Sequence, residues 1–295
     1  MDIYARNKED KNKIVFSGDI GRFDVPVMPD PTAIEEADIL LVESTYGNKE
    51  NPMDEPGKSL AKIINKTFEE RGCVLIPAFS VGRTQTLLYY LTKLIDEEKI
   101  PDVPIYLDSP MAINVTDLYK KHFKYHKLNQ VWNRSLFEHK NIHYFNSQDQ
   151  SVALNNIQRN AIIISASGMC TGGRILHHLY NRLPRENDTL VFVGFQPEGT
   201  RGRRIIDQEE MIKIFGVWVN VKCNVAYIKG LSAHADCDEL LNWLQNFKEA
   251  PKKTFIVHGE LQQAEALKHS IEASLGWHNV AIPHYLESAV LFRGL

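Results

Sequence analysis

The chain has 295 residues, 43% of them hydrophobic and 24% charged, which excludes a disordered or collagen-like polymer and leaves room for two domains. Lys and Arg number 34 against 37 Asp and Glu, a net charge of -3, so there is no global basic field and any nucleic-acid partner must be held by a local patch. No apolar run approaches the ~20 residues that span a bilayer, the polar stretch 1–13 is no secretory signal, and four scattered cysteines (Cys73, Cys170, Cys223, Cys237) without a CxxC read as reduced thiols of a cytoplasmic protein with no membrane partner.

Residues 1–5 alternate weakly and predict a strand; a polar turn leads to a second strand at 13–16, and the pair reads as a hairpin. A short buried strand at 39–42 ends at Glu43. From there strands and helices alternate. A helical stripe of Leu60, Ile63, Ile64, Thr67 and Phe68 is stopped by Gly72, and a strand at 73–76 follows. Next come a stripe of Leu87, Leu88, Leu91, Leu94 and Ile95, strands at 105–107 and 161–164, a helix over 173–183 and a strand at 190–193. After Gly230 a helix carries Leu240, Leu241, Trp243, Leu244 and Phe247; a strand at 254–257 ends at His258. A helix with Ala264, Leu267 and Ile271 and two short strands close the chain. This βαβ rhythm predicts a mostly parallel sheet covered by helices. Trp132, Trp218, Trp243 and Trp277 are expected in the core, and His122, His126, His139, His143, His177 and His178 on the surface or in packing.

Four polar groups stand at the ends of apolar strands or in tight turns beside them: Asp19, Glu43, His234 in SAHAD and His258 in VHGE. Open α/β sheets place their sites at strand ends. Asp and His together suit a divalent metal with mixed oxygen and nitrogen ligation, zinc above all. A carboxylate such as Glu43 suits the orientation of a His that acts as general acid. Each residue also has a plainer reading, since Asp after Gly is often a turn residue and a His-Gly pair often only ends a strand.

A second set is glycine-rich. The loop FSVGRTQ (79–85), with Ser80, Gly82 and Arg83, joins a strand to a helix. The loop SASGMCTGGR (165–174), with Ser167, Gly168, Thr171, Gly172, Gly173 and Arg174, does the same. Each brings backbone N–H groups, a positive helix end and an Arg to one place, which suits a phosphate. Arg201, Arg203 and Arg204 in GTRGRR add three bidentate phosphate binders. The plainer readings are glycines needed for close packing and a solvated charged turn.

The order SGDIGR, VESTYG, PAFSVGRTQ, DSPMA, SASGMCTGGR, GTRGRR, GLSAHAD and VHGE resembles the β-CASP branch of the metallo-β-lactamase superfamily, RNA-processing nucleases related to the mRNA 3′-end cleavage factor. The resemblance covers nearly the whole chain. It implies an α/β fold: a lactamase αββα sandwich formed by 1–47 and 230–295, N-terminally incomplete, with an inserted β-CASP cap at 48–229 that has a parallel sheet. It implies that Asp19 bridges two zinc ions, that Glu43 is the acidic residue of the first β-CASP motif, that His234 lies near the scissile phosphate, and that His258 is a zinc ligand. His at that third motif position is the form of RNA-acting members. Single-stranded RNA would run through the cleft between the domains, its phosphates meeting the glycine-rich loops and the arginines. The implied function is a zinc-dependent RNA phosphodiester hydrolase, endonucleolytic or 5′→3′ exonucleolytic, and family members often form homodimers.

One departure stands out. The family's HxHxDH motif, which supplies four metal ligands upstream of SGDIG, does not occur in this sequence. The expectation is that the chain is the C-terminal part of a longer or split protein, inactive and poorly soluble alone unless a separate chain supplies the other half. The alternative is a non-catalytic RNA-binding or scaffold subunit, but such a subunit has little need for Asp19, Glu43, His234 and His258 together. A small-molecule hydrolase of the wider superfamily has no use for the inserted cap.

Overall fold

A computed structural model describes residues 2–6, 11–50, 56–128 and 134–292. The chain divides into two compact units, one of Met1–Val25, Asp30–Asn51 and Ala233–Leu295, the other of Pro26–Pro29 and Pro52–Ser232. Among the described residues no helix is long and apolar enough to cross a membrane.

In the first unit, β1 (Asp2–Arg6) pairs antiparallel with β2 (Lys11–Phe16), the expected hairpin. Strand β3 (Ile39–Glu43) runs parallel to β2. Leu40 and Val42 are fully buried, and Ile39 and Glu43 nearly so. Burial on both faces is why the strand reads as a continuous apolar run rather than an alternation.

The second unit contains α1 (Pro56–Glu69), β4 (Val74–Pro77), α2 (Arg83–Asp96), β5 (Ile105–Asp108), α3 (Pro110–Lys121), β6 (Ile142–Tyr144), α4 (Gln148–Ala153) and β7 (Ile162–Ser165). Then follow α5 (Ile175–Arg182), β8 (Thr189–Phe192), α6 (Arg201–Ile206), β9 (Met211–Ile214), β10 (Val217–Asn220) and β11 (Asn224–Tyr227). Six strands form one parallel sheet in the order β11-β8-β4-β7-β5-β6. Alternate residues feed opposite faces. Ile76, Ile162 and Ile164 pack with Leu87, Leu88 and Leu91 of α2, whereas Leu75, Ile163 and Phe192 pack with Leu179 of α5 and Ile205 of α6. Helix α3 starts where the Ser109 hydroxyl accepts the Ala112 N–H at 3.3 Å with Pro110 in the first turn. Ser147 and Gln150 form a capping box at α4. Gly72 does not itself make the turn that ends α1: Arg71 takes the left-handed conformation (φ 60°), and a Cβ on Gly72 would lie 1.7 Å from the Asn187 carbonyl oxygen.

The chain then returns to the first unit with α7 (Cys237–Leu244), β12 (Lys253–Val257), α8 (Leu261–Leu275) and β13 (Val280–Ala281). Strand β12 lies parallel between β3 and β13 in a sheet ordered β1-β2-β3-β12-β13. Leu240 and Leu244 of α7 and Ala264, Leu267 and Ile271 of α8 pack on Leu40, Val42 and Ile256. Among the described residues one closing strand follows α8 where two were expected. The α/β class with helices on parallel strands is the one expected.

Trp243 and Trp277 are core residues, and the Trp243 indole N–H donates to the Thr32 carbonyl at 2.9 Å. Trp218 is not: it is 54% exposed on β10, its neighbour Val219 taking the inward position of the alternating strand. Trp132 lies outside the described residues.

Candidate active site

Four segments of the first unit are laced together by short bonds. Ser17 continues the pairing of β2, its N–H donating to the Leu41 carbonyl, and its hydroxyl accepts the Glu43 N–H at 3.1 Å. Gly18 takes a left-handed turn (φ 59°), and Asp19 follows it. His234 is fixed opposite Gly21 by an isolated bridge in which the Ala235 N–H donates to the Ile20 carbonyl. Beyond β12, His258 itself is left-handed (φ 53°) and Gly259 packs so tightly on Ser44 that a Cβ would lie 2.3 Å from its Oγ. The hydroxyls of Ser44 and Thr45 donate to the carbonyls of Val257 and His258, each at 3.1 Å. Register does the rest, because Glu43 and Val257 are paired neighbours and so the two strand ends stop side by side.

The side chains converge accordingly. Asp19, Glu43 and His234 each offer one donor atom within 4.8 Å of the others. Asp19 Oδ1 lies 3.1 Å from His258 Nδ1, and both side chains face solvent, 65% and 60% exposed. Glu43 is 1% exposed, and its carboxylate accepts the Ile20 N–H at 2.6 Å, the Thr45 N–H at 3.3 Å and His234 Nδ1 at 3.0 Å. Both Glu43 oxygens are therefore occupied, which makes it an orienting group for His234 rather than a metal donor. The Tyr46 ring meets the His234 imidazole edge-on with centroids 6.2 Å apart.

This donor chemistry fits a zinc ion. Two ligand atoms on a tetrahedral zinc with bonds of ~2.0–2.1 Å lie about 3.3 Å apart, close to the observed Asp19–His258 separation. Asp19 and His258 supply two such donors, one oxygen and one nitrogen.

The arginines and the glycine-rich loops of the second unit carry bonds within the protein. Arg174 has protein partners: its Nη1 bonds Asp108 Oδ1 at 2.7 Å and the Phe145 carbonyl at 3.0 Å, and its Nη2 bonds the Asn146 carbonyl at 2.6 Å, while the side chain stays 23% exposed. Arg203 and Arg204 are paired with Asp207 and Glu209, and Arg201 donates to the carbonyls of Lys213, Cys170 and Thr171. The loop around Ser167 is closed on itself, because the N–H groups of Thr171 and Gly172 donate to the Ser167 hydroxyl and the Ser167 N–H to the Gly172 carbonyl. Gly168 packs against Phe79, and Gly173 (φ 82°) lies over the Ala166 carbonyl. The turn at 79–83 is more open. Its Phe79 carbonyl accepts Thr84, its Ser80 carbonyl accepts the Gln85 side chain, Gly82 turns left-handed (φ 74°), and the Arg83 side chain is buried beneath. The amides of Ser80, Val81 and Gly82 have no protein acceptor among the described residues.

Asp108 was missed, and His178, expected on the surface or in packing, is packed against it. Both are fully buried; His178 Nε2 and the Ser151 hydroxyl share Asp108 Oδ2 at 2.7 and 2.6 Å. Burial pushes the Asp108 carboxyl up, but the bonds from His178, Ser151 and Arg174 outweigh it and hold it below its ordinary range. Asp108 ends β5, so the strand-end argument that singled out Asp19 and Glu43 applied to it equally.

Two family models match the chain: the Beta-Casp domain over residues 84–205, and the Zn-dependent metallo-hydrolase RNA specificity domain over 218–283. A ribonuclease of Thermus thermophilus is 37% identical over 259 residues, 86% of this chain and 59% of its own length. An RNase J-like protein of Methanocaldococcus jannaschii is 31% identical over 290 residues, 94% of this chain and 64% of its own. The transcription termination factor FttA of the same organism is 29% identical over 264 residues, 84% of this chain and 41% of its own. The chain thus spans between two fifths and two thirds of the length of these relatives. With both models in tandem and relatives aligned along most of its length, the chain belongs to the β-CASP family of the metallo-β-lactamase superfamily.

Proposed function

We propose that the protein hydrolyses phosphodiester bonds of single-stranded RNA with zinc as its metal, two ions in the complete site. The observation that carries this reading is the convergence of Asp19 and His258 beside a His234 whose Nδ1 is held by a buried carboxylate. Asp19 and His258 would hold the metal, which when bound supplies neutralisation of phosphate oxygens and an activated water. The chain's own residues do the remaining work. Glu43 keeps the proton of His234 on Nδ1 and fixes the ring, so that Nε2 is the atom presented to the reacting phosphate. From there His234 protonates the leaving ribose oxygen as general acid. In the second unit the open turn at 79–83 contacts the strand's phosphates, while Arg174 and the arginines of α6 hold loops in place. A binding-only subunit has little use for a buried carboxylate that orients a partly exposed imidazole beside two metal-type donors, which favours the enzyme reading.

The test uses the complete protein: zinc content by mass spectrometry and cleavage of end-labelled single-stranded RNA with and without chelator. Metal-dependent cleavage is expected, with Asp19→Asn and His258→Ala each lowering bound zinc. Cleavage that survives chelation, or its absence from the zinc-loaded protein, refutes the proposal.

A further inference from the structure

The C-terminal end of the parallel sheet in the second unit carries an apolar lip that the phosphate reading leaves unexplained. Phe79, two residues beyond β4, is 39% exposed; Val81 is 64% exposed and Met111, beyond β5, is 65% exposed. The Phe79 ring has a built seat. Sheet order places β4 between β7 and β8, and the residues that follow those two strands under the ring are Gly168 and Gly194. A Cβ on Gly168 would lie 2.9 Å from the ring and one on Gly194 would touch it at 3.8 Å. The absence of side chains at both positions lets the Cδ2–Cε2 side of the ring rest on bare backbone while the residue keeps its exposure. The same turn carries the amides of 80–82 and leads into the first turn of the 14-residue α2. Positive potential beside an exposed aromatic ring complements one kind of partner, an anionic strand that carries flat bases.

We propose that Phe79 is a nucleobase-stacking residue for single-stranded RNA, the base lying on its ring while the adjacent phosphate meets the turn at 80–82. This rests on the RNA reading above and adds a base contact to it. Every base has a π face, so the contact is sequence-tolerant, and its loss is worth about tenfold in affinity.

The test is binding by fluorescence anisotropy with the complete protein and chelator present to prevent cleavage. The probes are a ten-nucleotide oligouridylate and an abasic ribose-phosphate strand of the same length and charge. Wild type is expected to bind the uridylate more tightly than the abasic strand. Phe79→Leu, which keeps the seat filled without a π face, is expected to lose about tenfold on the uridylate and nothing on the abasic strand. Phe79→Trp is expected to keep the uridylate affinity and to show quenching of the added indole by uridylate but not by the abasic strand, which reports stacking even if the leucine variant folds poorly. If wild type binds neither probe, the RNA reading itself fails. If wild type binds but Phe79→Leu loses equally on both probes or on neither, or if the added indole responds to both alike, stacking is overturned and the RNA reading stands.

Discussion

Glu43→Gln separates folding from chemistry at the candidate site. The side chain keeps its volume, and one amide oxygen still accepts the Ile20 N–H that Glu43 binds at 2.6 Å. Its NH₂ group, however, meets the Thr45 N–H, donor against donor, at a contact that is long already at 3.3 Å. Losing one weak charge-assisted bond in a buried place costs about 1.5–2 kcal/mol, a melting shift of a few degrees for a chain of this size. The chemical effect is larger. The amide donates to His234 Nδ1, reverses the ring's tautomer and leaves a neutral Nε2–H with no anion behind it. General acid catalysis contributes ~10²–10⁴-fold, so RNA cleavage should fall by about 10²–10³. The assay is single-turnover cleavage by the complete protein, with zinc content and RNA affinity measured in parallel and expected to be unchanged. A substrate with sulfur in place of the leaving oxygen needs no proton and should recover most of the rate. A folded, zinc-loaded variant within threefold of wild type, or one that the sulfur substrate fails to rescue, refutes the assignment of Glu43 and His234.

Arg174→Ala leaves Asp108 with two of its three side-chain partners and should cost about 2–3 kcal/mol of stability, while the slope of RNA affinity against salt changes by less than about one unit; a full unit of flattening without destabilisation would return Arg174 to the phosphate contacts. Asp188→Ala strands the fully buried Arg182 guanidinium, paired at 2.9 Å, and the Cys73 N–H. The loss should be about 3–5 kcal/mol by urea denaturation, and a change under 1 kcal/mol would contradict the pairing. Burial pushes the thiols of Cys170 and Cys223 from 9.0 up to about 12. A proton held more tightly when folded is stability present below pH 9 and lost as pH rises through that window, so melting temperature should decline from pH 9 towards 12, and less steeply in a Cys170→Ala, Cys223→Ala double variant. Asp108, held low, works in the opposite direction: stability present above its ordinary carboxylate range is lost as pH falls through the folded value.

Strands buried on both faces, such as 39–42 and 162–165, were legible because continuous apolar runs bounded by turns have few other uses. The hairpin of β9 and β10 was not. Its solvent face carries Met211, Lys213 and Trp218, so the alternation that marks a strand is blurred by large apolar residues pointing outward, and only the left-handed pair Phe215-Gly216 betrays the turn. At the candidate site, Asp19, Glu43, His234 and His258 stood out because each ends an apolar strand or sits in a tight turn. The arginines were harder, since charge type does not reveal whether a guanidinium is already spent. Two of them did carry a signal: Arg203 and Asp207 are spaced i,i+4 on one helix face, and Arg204 precedes Glu209 by five residues. Arg174 carried none, because Asp108 lies 66 residues away and only the fold joins them.

Glu43 and His234 are separated by 191 positions, and β3 pairs with β12 across a similar interval. A ribosome therefore delivers the acidic partner long before the imidazole it orients, and the parallel sheet of the second unit has its strands available first. Until His258 has left the exit tunnel, the nascent chain holds Asp19 without its nitrogen neighbour.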